Sequence, residues 1–381
     1  MRVAFVSSHA GLGGSERMLE LLLDELGPPW IDTVIALEDG PAVTRLRTVA
    51  GSVLVVRAGR RAGLVSGAWR LRRRLMAQPP AVVHANGVKA ALVAALGLLG
   101  TGVPVIWVKH DLSWDGPLAR VVARGCAEVI AVSDAAMATL RAGRGCGRTR
   151  LTVIPNGIRQ PPRLPADDRL SLRRGLGGDP DVPLVGLIGR LHPAKGQLEL
   201  LAAAPLVLAH HPAAVFVLVG GEDPTQLAYG TRVRAATRTP GLSGHVVLTG
   251  HREDASAVMA AMDVVVLPSA PDERGMGREG FGLAAVEAMA AGTPVIAYAD
   301  GALPEVVGDA GILVAPGSRA ALADAIDGLL ADPDRRAGLS AAGRRRFSAR
   351  YRSDRMIAAL TARYAAYAPD ARGSTRAPSG R

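Results

Sequence analysis

The sequence predicts an α/β protein of two doubly wound domains, each a parallel β-sheet covered by helices on both faces. Its 381 residues exceed the usual size of a single domain. Short apolar runs rich in β-branched residues alternate with longer helical patterns, as in parallel sheets buried on both faces. This alternation is interrupted after Asn156-Gly157, which divides the chain into two halves.

Seven strands are predicted in the first half. Each is a short apolar run bounded by turn residues or by a helical pattern, which is typical of a buried parallel strand. They are Val3–Ser7, Thr33–Leu37, Val53–Arg57, Ala81–Ala85, Val105–Lys109, Val129–Ser133 and Leu151–Ile154.

Six strands are predicted in the second half by the same pattern. Ligands of open α/β sheets bind beyond the carboxyl ends of the strands, so we expect the active site between the two sheets. The six strands are Leu184–Ile188, Val215–Val219, Val246–Leu248, Val264–Leu267, Val295–Ala297 and Ile312–Val314.

These patterns assign residues 1–160 to a Rossmann-like first domain and 161–350 to a Rossmann-like second domain. We place the linker near 158–180, where Gln160-Pro161-Pro162 and a polar stretch follow. The last predicted helix, 353–368, is one helix more than the second sheet needs to cover its faces. In one arrangement this helix packs back on the first domain. The polar residues 370–381 predict a disordered tail.

The net charge of +11 suggests an acidic ligand or surface, but arginine bias explains much of it. Lysine occurs only at positions 89, 109 and 195, so nearly all 45 basic residues are arginine. Aromatic residues make up 3% of the chain, and neither a recognition helix nor a zinc-finger spacing accompanies the charge. We therefore predict no nucleic-acid partner.

The two cysteines, Cys126 and Cys146, are too few for a disulfide framework or a metal site. The chain opens on a strand pattern, without the apolar stretch and cleavage site of a signal peptide. The apolar segment Val88–Val108 is broken by Thr101–Pro104, and a membrane span needs about 20 unbroken residues. A cytoplasmic location is the resulting expectation.

The most informative motif surrounds Glu279 and Glu287. A helix beginning near Gly282 leaves Glu279 in the preceding loop and places Glu287 on the helix, about 12 Å further along. That length is comparable to a nucleoside diphosphate sugar. The backbone amides of Phe281 and Gly282 can face a diphosphate at the helix N-terminus, and glycines allow a close approach.

A second motif supplies positive charge. Arg190 and Lys195 follow the first strand of the second half, in Gly189-Arg190-Leu191-His192-Pro193-Ala194-Lys195-Gly196. Because carboxylates repel a diphosphate, cations are needed beside them, and charge-assisted hydrogen bonds contribute about 1.5–3 kcal/mol each. Both side chains are therefore candidates for binding the diphosphate.

A third motif, Gly11-Leu12-Gly13-Gly14-Ser15-Glu16, lies in the first strand-to-helix turn. It departs from the dinucleotide fingerprint because Glu16 stands where the third glycine belongs. Gly13 and Gly14 still leave space above the first sheet, where an acceptor or a sugar can approach. A turn without any ligand is the alternative.

Together these residues resemble the GT-B family of retaining glycosyltransferases known as family 4 (glycosyl transferases group 1). The resemblance extends over nearly the whole chain, and the block from Glu279 to Glu287 is its most specific part. The matching segments are Gly13-Gly14, Val108-Lys109-His110-Asp111, Val153-Ile154-Pro155-Asn156-Gly157, Gly189-Arg190, Lys195-Gly196 and Glu279 to Glu287.

The resemblance implies transfer of a sugar from a UDP- or GDP-linked donor to an acceptor hydroxyl in glycan, glycolipid or natural-product synthesis. It implies that Glu279 contacts the donor sugar, Glu287 the ribose, and Arg190 and Lys195 the diphosphate. His110 would contact the sugar from the first domain. The backbone at Gly280, Phe281 and Gly282 would hold the donor, and Gly14 and Arg252 are further donor-binding candidates.

The resemblance also implies retention of configuration without a metal or another cofactor. The departing phosphate would accept the proton of the acceptor. The two Asp-x-Asp motifs, Asp179-Pro180-Asp181 and Asp332-Pro333-Asp334, do not end strands and are typical of turns and helix caps.

Two alternatives stay open at this point. One is a GT-B epimerase that cleaves the sugar-nucleotide bond without transfer, and the other is a sugar-nucleotide-binding protein without activity. Two surface segments are also open. The arginine-rich helix Trp69–Leu75 is either a solvated face or a peripheral contact with an anionic membrane, and loop 270–278 is a candidate mobile flap.

Overall fold

The computed structural model describes residues 1–11, 13–58, 62–112, 116–142, 146–272, 275 and 277–367. The predicted tail at 370–381 and part of the predicted flap at 270–278 lie outside the described residues. The chain forms two compact units, one of Met1–Gly157 with the C-terminal segment that begins at Ser353, the other of Ile158–Arg352.

All the strands expected from the sequence are present, with ends that shift by up to two residues. Those of the first unit are β1 (Val3–Ser7), β2 (Ile31–Ala36), β3 (Val53–Val55), β4 (Val82–Asn86), β5 (Val105–Lys109), β6 (Glu128–Ala131) and β7 (Arg150–Val153). Those of the second are β8 (Leu184–Ile188), β9 (Val215–Val219), β10 (Val246–Gly250), β11 (Val264–Leu267), β12 (Val295–Tyr298) and β13 (Gly311–Val314).

Helices connect these parallel strands or follow the last of them. Before β8 they are α1 (Gly14–Leu26), α2 (Pro41–Ala50), α3 (Ala62–Met76), α4 (Val88–Gly97), α5 (Pro117–Arg124), α6 (Asp134–Ala142) and α7 (Ala166–Gly175). Further along they are α8 (Gln197–His210), α9 (Leu227–Ala236), α10 (Ala255–Ala260), α11 (Leu283–Ala291), α12 (Leu303–Val307), α13 (Arg319–Leu330), α14 (Pro333–Arg350) and α15 (Ser353–Ala365).

Each sheet reverses its strand order at one point. The first sheet runs β3-β2-β1-β4-β5-β6-β7, and the second runs β10-β9-β8-β11-β12-β13. The loops after β1 and β4, and those after β8 and β11, therefore diverge and leave a crevice at the carboxyl edge of each sheet. All strand pairs recorded in both sheets are parallel, as the sequence predicts.

The C-terminal helix α15 belongs to the first unit. The Tyr364 hydroxyl lies 2.7 Å from Nδ1 of buried His84. Arg363 donates from Nε and Nη2 to both carboxylate oxygens of Glu128, at 3.0 and 2.9 Å, and Glu128 is fully buried. Aromatic packing of Phe5 against Tyr364 completes the contact, at 6.4 Å between ring centroids. These contacts tie α15 to β1, β4 and β6.

The expected linker at 158–180 is wrong over residues 166–175, because α7 forms there and belongs to the second unit. None of its residues is buried, so no apolar period marks it in the sequence. Arg173 holds it instead, donating to the Ala261 carbonyl at 2.8 Å and to Asp263 Oδ2 at 3.1 Å. Acidic residues in its first turn and arginines in its last suit the helix dipole.

No helix in the described part of the chain is long and apolar enough to cross a membrane.

The free energy of unfolding of the first unit is expected to fall in mild acid because of His84. Burial is the main cause that lowers the pKa of His84 from 6.5 to about 3, and the charge of His110 adds to it. Between these values the unfolded chain binds the proton and the folded unit does not, so stability declines as pH falls from 6.5 towards 3. From pH 7 to pH 5 the loss from His84 is about 2 kcal/mol.

Urea unfolding at the two pH values measures this loss, and His84→Gln is the informative variant. The variant should lose about 2 kcal/mol less than the wild type over the same interval. Equal losses in the two proteins would contradict a role for His84.

Candidate functional site

Lys195 and Glu279, predicted separately, meet at the switch point of the second sheet. Lys195 ends a 3-10 turn, Pro193–Lys195, that follows β8, and Glu279 precedes α11 after β11. Lys195 Nζ donates to Glu279 Oε2 at 2.6 Å, and both side chains remain partly exposed. A cation that can face an anion and a carboxylate that can accept from a hydroxyl therefore lie side by side.

Arg190 lies at the same edge and is paired with a residue that the sequence analysis did not single out. Its Nη1 donates to Asp223 Oδ2 at 2.7 Å. The Arg190 side chain is 55% exposed, whereas that of Asp223 is 4% exposed. The guanidinium is thus held at the surface by a buried carboxylate, in a position to receive an anion.

The backbone beneath these cations leaves no room for larger residues. Gly196 adopts a left-handed conformation, with φ of 71°, and a Cβ there would lie 2.1 Å from the Pro268 carbonyl oxygen at the end of β11. Buried Gln197 donates from Nε2 to the Arg190 carbonyl at 2.8 Å. Gly196 is therefore needed for the turn to pack against the end of β11.

The Glu279 segment is fixed to the turn that follows β12. The Ala302 amide donates to the Glu279 carbonyl at 2.9 Å, and a Cβ on Gly301 would lie 2.4 Å from that same oxygen. Beside it, Arg278 donates to Asp300, from Nη2 to Oδ1 at 2.7 Å and from Nε to Oδ2 at 3.2 Å. Glu279 is thereby held on an ordered backbone.

Helix α11 begins where the sequence predicts. Gly282 precedes it with φ of 95°, a conformation that favours glycine. Phe281 is 4% exposed and packs edge-on against Tyr351, with 5.8 Å between ring centroids, so its side chain belongs to the core. Glu287 lies half-buried in the second turn. The donor-binding roles of Gly280, Phe281, Gly282 and Glu287 stay predictions.

Arg252 follows β10, which is two strands from β8 in the sheet. It donates from Nε and Nη2 to both oxygens of Asp254, at 2.7 and 2.5 Å. The hydrogen bonds to Asp254 are the main cause that raises the pKa of Arg252. Its predicted donor contact would have to form beside this ion pair.

In the first unit, Gly13 immediately precedes α1 and Gly14 is its first residue. The Glu16 carboxylate folds back over this turn, so that a Cβ on Gly13 would lie 2.6 Å from Glu16 Oε2. A carboxylate at this helix N-terminus stands where a dinucleotide phosphate would bind. The departure from the dinucleotide fingerprint therefore has a physical reason, while the acceptor-side role of both glycines stays a prediction.

His110 follows β5 and is linked to the same turn through Asn86, the last residue of β4. The Asn86 side chain donates from Nδ2 to the Ser15 carbonyl at 3.2 Å, which turns its Oδ1 towards His110 Nε2 at 2.6 Å. Burial lowers the pKa of His110 to about 4, and the charge of Lys109 adds to it. His110 is therefore a neutral hydrogen-bonding group at pH 7.

Sequence reasoning missed Asn86 and Asp223. Asn86 stands at the carboxyl end of a strand beside the switch point, which is a usable signal. Asp223 follows β9 in Gly220-Gly221-Glu222-Asp223, where two carboxylates are adjacent. Only the side-chain contacts show that Asp223 pairs with Arg190 and that Glu222 pairs with Arg234.

Two doubly wound sheets, with cations and a carboxylate at the switch point of the second, define a two-domain Rossmann-like protein of the GT-B type. Two family models match the chain. The model described as Glycosyltransferase Family 4 matches residues 12–159, and the model described as Glycosyl transferases group 1 matches residues 182–332. The chain belongs to the family 4 glycosyltransferases.

Curated relatives act on different acceptors. The chain is 33% identical over 265 residues to the GDP-mannose-dependent alpha-(1-6)-phosphatidylinositol monomannoside mannosyltransferase of Mycobacterium tuberculosis, covering 66% of each protein. It is 36% identical to the D-inositol 3-phosphate glycosyltransferase of Xylanimonas cellulosilytica, covering 65% of this chain and 60% of the relative. The chain thus spans about two thirds or less of the length of these relatives.

Among solved structures, Anabaena Alr3699/HepE in complex with UDP-glucose superposes with a TM-score of 0.83 at 26% identity. The match covers 96% of this chain and 99% of that protein. Sucrose-phosphate synthase from Thermosynechococcus elongatus superposes with a TM-score of 0.79 at 24% identity, covering 96% and 98%, which supports the fold alone.

Proposed function

We propose that the chain is a retaining glycosyltransferase that moves a sugar from a nucleoside diphosphate sugar to an acceptor hydroxyl. One observation carries the proposal: Lys195 and Glu279 converge in an ion pair at the switch point of the second sheet, just before α11, and Arg190 lies on the same loop as Lys195 after β8. Two cations suit a diphosphate, and the carboxylate suits a sugar hydroxyl. The same convergence supports an active site over a site that only binds nucleotide.

In the proposed reaction, the bond between the sugar C1 and the diphosphate oxygen breaks, and a bond from C1 to the acceptor oxygen forms on the same face. The acceptor proton passes to the departing phosphate. Arg190 and Lys195 stabilise the charge that develops on the diphosphate. Donors that are already fixed in position are the most effective at this, because they need not reorganise during the reaction. Because these side chains supply the positive charge, the proposal includes no metal or other cofactor.

The donor class is supported by the relatives. One carries GDP-mannose in its name, and the Anabaena structure holds UDP-glucose. Acceptors in the names of relatives include a phosphatidylinositol mannoside, an inositol phosphate and, in Streptomyces kanamyceticus, 2-deoxystreptamine. A hydroxyl of a polyol or an inositol-type ring is the chemistry that these acceptors share.

The proposal is tested by measuring UDP and GDP release with UDP-glucose or GDP-mannose and each of these three acceptor types. Transfer is expected to require both donor and acceptor, with an α-anomeric product from an α-linked donor by NMR. Donor cleavage that ignores every acceptor would favour an epimerase or a hydrolase. Release and binding that are both absent with every donor would contradict the proposal.

Glu279 and Glu287 are expected to affect different kinetic constants. Glu279→Ala should chiefly lower kcat, because its carboxylate lies beside Lys195 where the sugar reacts. Glu287→Ala should chiefly raise the KM for the donor, about tenfold, since the lost contact is with the ribose in both ground and transition states. Steady-state kinetics with varied donor separates the two effects, and wild-type constants in both variants would contradict the assignment.

We further propose that α3, α4 and α5 contact an anionic membrane surface. Exposed apolar side chains lie on all three helices, including Trp69 of α3 at 59% exposure and Leu96 of α4 at 49%. Arg72 links α3 to the last residue of α4 by donating to the Gly97 carbonyl at 3.2 Å, and the Arg73 guanidinium stacks over Trp69 at 5.2 Å. Apolar groups flanked by arginines suit an interface with anionic lipid.

Vesicle co-sedimentation tests this contact. Binding is expected to vesicles of phosphatidylglycerol and phosphatidylcholine, and to weaken at high salt and with phosphatidylcholine alone. Trp69→Ser should reduce binding about tenfold. Leu206→Ser, at an exposed leucine of the second unit, is the matched control and should bind normally. Equal binding by wild type and Trp69→Ser would contradict the proposal.

A further inference from the structure

Asp223 is a buried carboxylate whose position is set by its own loop. Its Oδ1 accepts two hydrogen bonds from Thr225, from the backbone amide at 2.9 Å and from Oγ1 at 2.7 Å. Burial acts to raise the pKa of Asp223, but the Thr225 hydrogen bonds and the charge of Arg190 outweigh it, so the pKa lies below its ordinary value. The Asp223 carboxylate is therefore ionised at pH 7, and Thr225 fixes its position independently of Arg190.

The backbone of Arg190 is also held on both sides. The Leu191 amide donates to the Gly221 carbonyl at 2.9 Å, and a Cβ on Gly220 would lie 2.0 Å from the Gly189 carbonyl oxygen. The loops after β8 and β9 are thus in direct backbone contact. The remaining freedom of Arg190 is the rotamer of its long side chain, which loses conformational entropy when it is immobilised.

The Asp223 Oδ2 contact removes much of that freedom. Asp223 Oδ2 accepts from Arg190 Nη1 at 2.7 Å, which uses one of the five N–H groups of the guanidinium. The group stays 55% exposed and is planar, so fixing one nitrogen fixes the directions of the other donors.

We infer that Asp223 is a positioning residue that orients the Arg190 guanidinium to bind the diphosphate of the donor. The inference rests on the proposed function and adds Asp223 to the residues that support it, Arg190, Lys195 and Glu279. Two effects of Asp223 oppose each other, because its negative charge repels a diphosphate while its geometry prepares the arginine that binds it. Because the Asp223 carboxylate is buried whereas the Arg190 guanidinium is exposed, we expect orientation to be the larger effect and removal of Asp223 to weaken diphosphate binding.

Isothermal calorimetry on the full chain tests this with UDP, GDP and the corresponding nucleosides. Asp223→Ala should weaken binding of the preferred nucleoside diphosphate about tenfold and leave nucleoside binding within twofold. In an Arg190→Ala background, Asp223→Ala should cause no further loss, because there is no guanidinium left to orient. Thr225→Val removes one anchor of the carboxylate and should give a smaller loss in the same direction.

Each outcome is decisive. Tighter diphosphate binding by Asp223→Ala would show that repulsion dominates and would overturn the inference, as would an equal loss in the Arg190→Ala background. Should Asp223→Ala fail to fold, unchanged diphosphate binding by Thr225→Val would overturn it. If the wild type binds neither UDP nor GDP, the proposed function is overturned as well. If Arg190→Ala weakens diphosphate binding but Asp223→Ala does not, the proposed function stands and Asp223 has no part in it.

Discussion

Replacing Lys195 with alanine is expected to lower kcat/KM for sugar transfer about 10²- to 10³-fold, with most of the loss in kcat. Charge develops on the leaving diphosphate as the C1–oxygen bond breaks, so a fixed cation acts more strongly on the transition state than on bound substrate. The substitution also removes the 2.6 Å contact that positions Glu279. Steady-state kinetics with saturating acceptor and varied donor measures both constants.

The matched control for Lys195 is another ion pair in the second unit. Arg319 pairs with Glu199 at 3.4 Å, with the arginine largely exposed, and Arg319→Ala should leave kcat/KM unchanged. Lys195→Arg keeps the charge but presents a planar fork in place of a compact ammonium, so an intermediate loss is expected. Activity of Lys195→Ala within twofold of wild type would remove Lys195 from the chemistry.

Replacing Arg363 with alanine is expected to lower the free energy of unfolding of the first unit by about 3–5 kcal/mol. The substitution leaves Glu128, which is fully buried, without the guanidinium that contacts both of its oxygens. A buried carboxylate without its cation bears an uncompensated desolvation cost. The loss should therefore exceed that of any exposed ion pair.

Tryptophan fluorescence isolates this effect, because all four tryptophans, at positions 30, 69, 107 and 114, precede the second unit. Arg57→Ala is the matched control, since Arg57 pairs with Asp39 at 3.4 Å where both side chains are exposed, and its urea midpoint should barely move. Glu128→Met combined with Arg363→Leu should recover most of the loss, because an apolar pair needs no charge compensation. Equal midpoints for Arg363→Ala and wild type would contradict the prediction.

The two sheets follow from the sequence because each buried parallel strand is a continuous apolar run, and such a run is a local property. Arg190, Lys195 and Glu279 could be selected for the same reason, since each follows a recognisable strand or precedes a recognisable helix. The contacts that Asp223 and Asn86 make depend on which strands are neighbours in the sheet. Contacts between residues distant in sequence determine that strand order. Helix α7 was not predicted because it has no buried apolar face. Hydrogen bonds from a single arginine, Arg173, hold it instead.

The place of α15 makes the second unit an insertion within the first. The two ends of that insertion meet, with the Ile158 amide donating to the Tyr351 carbonyl at 2.9 Å and Ile158 bridged to Arg352. During synthesis the inserted unit is therefore complete before Ser353 is added. The first unit is completed later than the second, although its synthesis begins earlier. The contacts of His84 with Tyr364 and of Glu128 with Arg363 can form only after α15 has been synthesised.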